Sequence, residues 1–319
     1  MRRVDTRLLD GPVKQGHDKK RAASLIANSL GTIRVLLLTA AAALAISGAA
    51  GAAETPQRIM SLSLCTDQLL LQLVPPDRIT SVTYLSRMAA SSYLTAEAFG
   101  VSINYGTPEE VAREHPDLVL TGTFSTPAAR MLLRRIGANL VEVPPAEDFE
   151  QIRAVTRQVA QAVGATQKGE ALIAEMDATL ADLARTKPTR RIVVAGWTTS
   201  GTVPAKGTLF DSILTAAGGE NVANIIGEKP LYGQHTAFDL EQVVALRPDI
   251  LAYGNSRVGR ADLSGEQLKH PVVRRLFADR QIAYPETLYS CGLPQSATIA
   301  ARQFRQAMLD AIAKAERSR

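Results

Sequence analysis

The chain has 319 residues, of which 46% are apolar and 21% are charged, and its formal net charge is +5. This composition is typical of a globular protein and excludes a wholly disordered one, and the length predicts about two domains. The excess positive charge lies entirely in residues 1–53, which hold 8 of the 36 basic and 3 of the 31 acidic residues. Residues 54–319 carry 28 of each, so the sequence predicts no nucleic-acid partner.

Residues 1–53 have the layout of a secretory signal peptide. A basic stretch precedes the apolar run Val35–Ala50, which is shorter than the roughly 20 residues needed to span a bilayer. Small residues follow, so cleavage is expected near Ala52 or Ala53. A membrane anchor is the alternative for this segment. We therefore expect an exported, periplasmic protein.

Short apolar strands alternate with helical patterns along the rest of the chain, which predicts an α/β fold with parallel sheets. Strands are predicted at 58–64, 79–84, 117–122, 139–143, 191–197, 249–254 and 282–285. Helices are predicted at 67–74, through most of 148–187 with a break near Gly164, and at 294–315. The simplest division gives lobes at 57–147 and 190–319, joined by a helical linker at 148–189.

An internal repeat supports two related lobes. Residues 107–122 align without gaps to residues 239–254, at a constant offset of 132. Thr107 and Asp239 are predicted N-caps, and the Glu or Gln three residues later completes a capping box in each unit. Each unit is a capped helix, a Pro-Asp turn, a buried strand and a glycine. Similar units also arise by convergence, but the shared spacing favours duplication.

The chain resembles the periplasmic substrate-binding proteins of the iron-siderophore and vitamin B12 type, called class III. The resemblance runs from Arg58 to the end of the chain. Its carriers are RIMSLSLCTDQLLLQL (58–73), the paired E-x6-P-D-[LI] units, KGTLFDSILTAAGGENVAN (206–224) and HPVVRRLFADRQIAYP (270–285).

This resemblance implies two Rossmann-like lobes joined by a single long bridging helix, with the ligand cleft between the lobes. It implies a monomer that captures a large metal chelate and delivers it to an ABC permease, without catalysis. A ferric siderophore or a cobalamin-type corrinoid is expected before haem. No cofactor is expected beyond the iron or cobalt of the transported ligand.

Two glutamates are candidates for permease docking. In the family, one glutamate on each lobe docks onto permease arginines, and position by position these match Glu109 and Glu241. The alternative is that both are first-turn glutamates favoured by the helix dipole, an effect of about 0.3–1 kcal/mol each.

Candidate ligand contacts follow the carboxyl ends of the predicted strands, where α/β lobes bind their ligands. They are Cys65, Thr66, Tyr84, Arg87, Tyr105 and Phe124 in the first lobe, and Trp197, Tyr232, His235, Tyr253 and Ser290 in the second. Aromatic rings suit the apolar faces of a chelate, although each ring could instead pack within its lobe. Trp197 is expected in the cleft, because a glycine precedes it and loop-like sequence follows.

Polar groups among these candidates allow more than one interpretation. Arg87 could bind a ligand carboxylate or phosphate, or simply be an exposed arginine. Only three histidines follow the signal segment, so no bare-metal site is expected. His235 could contact a ligand that already carries its metal.

The two cysteines both lie where the resemblance places the cleft. We expect a Cys65–Cys291 disulfide, which an oxidising compartment permits and which would restrict lobe motion. The alternatives are two free thiols or a thiolate that touches a bound metal.

Two other functions are compatible with an exported α/β fold. One is a secreted hydrolase-like enzyme, although the sequence contains no G-x-S-x-G elbow, H-E-x-x-H motif or P-loop. The other is a binding protein of the same fold that acts as the signalling partner of a membrane receptor.

Overall fold

The computed structural model describes residues 55–123, 125–197, 202–226, 235–254 and 269–318. These residues form two parallel sheets with helices, which confirms the α/β prediction. The signal-peptide prediction lies outside the described residues. Among the described helices, none combines the length and hydropathy needed to cross a membrane.

The first sheet has five strands in the order β3-β2-β1-β4-β5, all parallel. Residues 57–147, which contain it, are called the N-lobe, and residues 190–319 are called the C-lobe. These are β1 Ile59–Ser61, β2 Ile79–Thr83, β3 Ile103–Asn104, β4 Leu118–Gly122 and β5 Leu140–Val143. Its helices are α1 Leu64–Leu73, α2 Thr95–Ala98, α3 Pro108–Glu114 and α4 Pro127–Arg135, with 3-10 turns at Pro76–Arg78 and Tyr84–Arg87.

Two helices lead from the first sheet to the second. They are α5 Phe149–Ala162 and the 20-residue bridging helix α6 Thr166–Arg185, and the break between them contains Gly164, which has a left-handed φ of 68°. Glycine adopts this conformation without the steric cost that a Cβ would add.

The sheet of the C-lobe has four parallel strands in the order β11-β10-β6-β8, and a separate antiparallel pair joins β7 to β9. The strands are β6 Val193–Trp197, β7 Thr202–Pro204, β8 Glu220–Asn221, β9 His235–Ala237, β10 Ile250–Gly254 and β11 Gln281–Tyr284. The helices are α7 Leu209–Ala217, α8 Ala223–Ile226, α9 Leu240–Leu246, α10 Pro271–Phe277 and α11 Pro294–Arg317, with a 3-10 turn at Glu286–Leu288.

The predicted repeat is present in three dimensions. Helices α3 and α9 and strands β4 and β10 keep the offset of 132 residues, and both predicted capping boxes are formed. Each helix ends on a non-glycine residue in the left-handed conformation, His115 with φ 47° and Arg247 with φ 45°. After each helix an aspartate, Asp117 or Asp249, accepts a backbone N–H from the neighbouring strand region.

The first helix begins earlier than the sequence indicates. The predicted strand 58–64 stops at Ser61, and α1 starts at Leu64 rather than Asp67. The Thr66 hydroxyl donates to the Ser63 carbonyl and bonds the Ser63 hydroxyl at 2.7 Å, which fixes the first turn directly after the strand. Cys65 and Thr66 therefore lie on the helix rather than in a loop before it.

A buried arginine joins the C-terminal helix α11 to the ends of two other helices. Arg305 donates to the carbonyl oxygens of Leu183, Ala216 and Ala217, at 2.7, 3.0 and 2.9 Å, and to the Thr186 hydroxyl. Three of these acceptors belong to the final turns of α6 and α7, whose carbonyls have no partner within their own helix. The bridging helix is thereby fixed to the C-lobe at its end.

Candidate ligand-binding site

A largely apolar cavity of about 400 Å³ lies where the start of α1 meets the segment before α11. Its volume is within the range of small-molecule sites. The wall consists of Leu62–Thr66, Leu69, Leu85, Gly122, Ser125, Val143–Ala146, Val155 and Ser290–Leu293. Three predicted site residues, Cys65, Thr66 and Ser290, are thus brought together although they are far apart in sequence.

The cavity wall contains the predicted disulfide. Cys65 on α1 is bonded to Cys291, 226 residues later, with the two Cα atoms 5.3 Å apart. This distance is within the range a disulfide requires. The pairing confirms the prediction and excludes both the free thiols and the metal-bound thiolate. The bond fastens the N-lobe to the segment that leads into α11.

The Tyr84 and Tyr105 rings form a stacked pair. Their centroids are 5.3 Å apart, with 29° between the ring planes. Tyr84 follows β2 and Tyr105 follows β3, and these neighbouring parallel strands bring both residues to one sheet edge. The tyrosines are 41% and 68% exposed, so the pair presents aromatic surface to solvent. Leu85, next to Tyr84, lines the cavity.

A buried carboxylate lies beneath the turn that carries Tyr84. Asp67 Oδ2 accepts hydrogen bonds from the Thr83 amide at 3.0 Å, from the Thr83 hydroxyl, and from the Ser86 hydroxyl at 2.8 Å. Its other oxygen, Oδ1, accepts none from a described residue. Burial raises the pKa of Asp67 from 3.8 to about 6, because these hydrogen bonds offset only part of the lost hydration of the carboxylate.

A second carboxylate holds the turn that carries Tyr105. Glu110 accepts the Tyr105 amide on both oxygens, at 3.1 and 3.0 Å, and the Thr107 amide at 3.0 Å. Partial burial favours the neutral acid, but the hydrogen bonds from Thr107 and Tyr105 outweigh it and lower the pKa of Glu110. Between the tyrosine and the helix, Gly106 has a left-handed φ of 76°, which lets the chain turn directly into α3.

Arg87 forms several contacts within the protein. Its guanidinium donates to the carbonyl oxygens of Ala98 and Val101 and lies over the Phe99 ring, 5.4 Å from the centroid. These bonds fasten the Tyr84 turn to the end of α2. The interpretation of Arg87 as a simply exposed arginine is therefore wrong, and its contact with a ligand stays a prediction.

The aromatic residues of the C-lobe are more enclosed. Trp197 is only 5% exposed and packs edge-on against Phe238, with centroids 6.4 Å apart. This is the environment expected for lobe packing rather than for an open cleft wall, and the expected ligand contact of Trp197 stays a prediction. Tyr253 is half-buried and pairs with Trp197 across β10 and β6.

Three predicted contacts cannot be placed on the site. Phe124 and Tyr232 lie outside the described residues, and His235 is described only through its backbone in β9. Within the described part of the chain, no group of three or more His, Cys, Asp or Glu side chains is arranged to hold a metal ion.

The two docking candidates occupy equivalent positions. Glu109 and Glu241 lie in the first turns of α3 and α9, and both are exposed. Neither forms an ion pair with another described residue. Helix-dipole stabilisation applies equally to both positions.

Two parts of the site are absent from the sequence-based prediction. One is the apolar wall Val143–Ala146, which also follows the carboxyl end of a strand, β5, and could have been found by the same rule as the polar candidates. The other is Asp67, whose polar side chain gives no sign in the sequence that it is buried. Only the burial of Asp67 depends entirely on tertiary packing.

Comparisons with known proteins identify the family. A family model described as "Periplasmic binding protein" matches residues 59–228, more than half of the chain. No curated protein sequence matches the chain.

Several solved structures share the fold. The haem-binding protein RhuT of Roseiflexus sp. RS-1 has a TM-score of 0.66 at 23% identity, covering 80% of this chain and 98% of its own. The vitamin B12-binding protein BtuF of Vibrio cholerae has a TM-score of 0.62 at 14% identity, and the match covers 81% of this chain and 98% of BtuF. The haem-binding protein HutB of Vibrio cholerae has a TM-score of 0.63 at 17% identity, and the match covers 78% of this chain and 98% of HutB. The chain belongs to the periplasmic binding protein family and has the class III fold.

Proposed function

We propose that this protein is the exported solute-binding component of an ABC importer and that its ligand is a large, flat metal chelate of the tetrapyrrole class, either haem or a corrinoid. The family consists of solute-binding proteins that work with ABC permeases, and not of enzymes. The stacked Tyr84–Tyr105 pair carries the proposal, because two exposed rings suit the face of a macrocycle and the next residue, Leu85, lines an apolar cavity.

The neighbouring structures support the same ligand class. RhuT and HutB are described as haem-binding and BtuF as vitamin B12-binding, and both ligands are metal-bearing macrocycles. The metal is proposed to arrive inside the ligand, so the protein needs no cofactor of its own. A ferric siderophore is less flat and makes less use of a stacked aromatic pair.

Delivery is proposed to use Glu109 and Glu241. Their equivalent places in a duplicated unit suit a partner that meets both lobes with arginines on two transmembrane subunits. Family membership implies a periplasmic location. Cleavage after residues 1–53 and a monomeric state are part of the same proposal, and the Cys65–Cys291 disulfide agrees with an oxidising compartment.

The test is a titration of the mature chain with hemin, cyanocobalamin and a ferric tris-catecholate. Visible spectra, quenching of Trp197 fluorescence and the melting temperature report binding. Hemin or cyanocobalamin should saturate one site, while a Y84A/Y105A double variant should bind much more weakly. If only the catecholate binds, the tetrapyrrole assignment is wrong. If none of the three probes binds, the chelate proposal itself fails.

A further inference from the structure

Tyr84 and Tyr105 lie in the two segments that follow β2 and β3. The short pairing of these strands ends at Thr83 and Asn104, so it does not include either tyrosine. Tyr84 and Tyr105 lie one residue past this pairing. Their rings are exposed, so core packing does not fix where they point. Other contacts must hold each turn. Arg87 fastens the Tyr84 turn to the end of α2, and in both turns a carboxylate also accepts backbone hydrogen bonds.

On the Tyr84 side, the anchor is a fully buried side chain of α1. Asp67 accepts one backbone and two hydroxyl hydrogen bonds from Thr83 and Ser86, the residues that flank Tyr84 and Leu85. Hydrogen bonds to a buried charged acceptor are stronger than neutral ones, and three of them converge on a single oxygen. The turn cannot shift without breaking this group.

On the Tyr105 side, the anchor is the first turn of α3. Glu110 binds the Tyr105 amide through both carboxylate oxygens while it also completes the capping box with Thr107. The equivalent capping residue of the second repeat, Gln242, accepts only the Asp239 amide among the described contacts. Glu110 therefore joins the capping box directly to the residue that bears the ring.

We infer that Asp67 and Glu110 are positioning residues that hold Tyr84 and Tyr105 in the stacked geometry required for ligand binding. Neither carboxylate contacts the ligand; each acts through the backbone of the turn that carries a ring. The inference rests on the proposed function for its effect on affinity. The geometry of the ring pair can also be measured without any ligand.

The experiment measures hemin and cyanocobalamin affinity in D67A and E110A, each alone and in a Y84A/Y105A background. Each carboxylate variant should weaken binding about tenfold in the wild-type background and change it less than about twofold when the rings are absent. The conservative variants D67N and E110Q keep one acceptor oxygen for the amide and should restore most of the affinity.

Matched controls come from the C-lobe. D211A removes a buried aspartate that accepts a loop amide, and Q242A removes the equivalent capping residue of the repeat. Both should destabilise the protein while leaving chelate affinity within about twofold. If D67A does not fold, S86A takes its place, since it removes one of the three hydrogen bonds and leaves Asp67 in position.

A ligand-free measurement separates this inference from the proposed function. The NOE between the Tyr84 and Tyr105 rings should be present in the wild type and lost or weakened in D67A and E110A. If the wild type binds neither probe, the proposed function fails while the NOE still decides the positioning role. The inference is overturned if the NOE persists in both variants, or if D67A weakens binding equally with and without the rings.

Discussion

Tyr84 and Tyr105 stack at 5.3 Å although each comes from a different strand and neither is buried. Neighbouring strands bring them together, and Leu85, the residue after Tyr84, lines the apolar cavity. Two large apolar faces held open to solvent are costly to maintain unless something covers them, and this makes the pair the centre of the predictions about binding.

Removing one ring should weaken binding while leaving the fold intact. Y84A is expected to lower hemin or cyanocobalamin affinity about tenfold, because an aromatic stacking contact contributes about 1.5 kcal/mol. Y84F keeps the ring and is the matched control, with affinity close to that of the wild type. Isothermal titration calorimetry measures both, and equal affinities for Y84A and Y84F would show that the ring has no role.

Breaking the disulfide should destabilise the protein. A C65S/C291S variant is expected to lose about 2–5 kcal/mol of unfolding free energy, because the bond closes a loop of 226 residues in the unfolded chain. Urea denaturation of the wild type with and without reductant should give the same difference. The double serine variant should not respond to reductant, and a response there would point to another reducible group.

Asp67 should make stability fall as pH rises between about 4 and 6. The folded protein binds this proton with a pKa of about 6, against 3.8 ordinarily, so in this window the folded state holds more protons than the unfolded state. The free energy of unfolding should therefore decrease by about 3 kcal/mol from pH 4 to pH 7 through this group. Urea denaturation at several pH values, compared with D67N, isolates the contribution; parallel profiles would contradict it.

Charge reversal at the docking candidates should abolish uptake without affecting binding. An E109K/E241K variant places positive charge where the permease is proposed to present arginines, so transport into vesicles that contain the permease should drop to background. Chelate affinity should stay at the wild-type value. E175K, an exposed glutamate of the bridging helix, is the control and should transport normally. Full uptake by the double variant would remove both residues from the docking surface.

Glycine at either repeat terminus should stabilise the protein. His115 and Arg247 both adopt positive φ, which costs a residue with a Cβ about 1–2 kcal/mol. H115G and R247G should each raise the melting temperature, since glycine relieves part of this strain at a helix C-terminus. H270G, at a residue with φ −54°, is the control and should bring no gain. Differential scanning calorimetry measures all three.

Sequence patterns predicted the parts of the structure that depend on neighbours in the chain. The alternation of short strands and helices indicated the α/β class, and the side chains of Thr107 and Asp239 with their partners three residues later indicated both capping boxes. The repeat followed from a constant offset. The Cys65–Cys291 bond was expected from the export context and the family resemblance rather than from local pattern.

The remaining features depend on contacts between distant segments. The start of α1 at Leu64 is set by the Ser63–Thr66 hydrogen bonds, which override the strand-like appearance of the sequence. The Arg87 guanidinium is occupied by carbonyls that only the fold brings near. The stacking of Tyr84 on Tyr105 depends on the register of two strands, and the sequence pattern within either strand does not predict that register.

The positions of the two cysteines in the chain also limit when the disulfide can form. Cys65 and Cys291 are the two cysteines of the sequence, and they are 226 residues apart. The bond can therefore form only after the chain between the two cysteines has been synthesised, and until then Cys65 has no partner within its own chain. A disulfide formed at Cys65 before that point would need a thiol from another molecule, because Cys291 is the only other cysteine in the sequence.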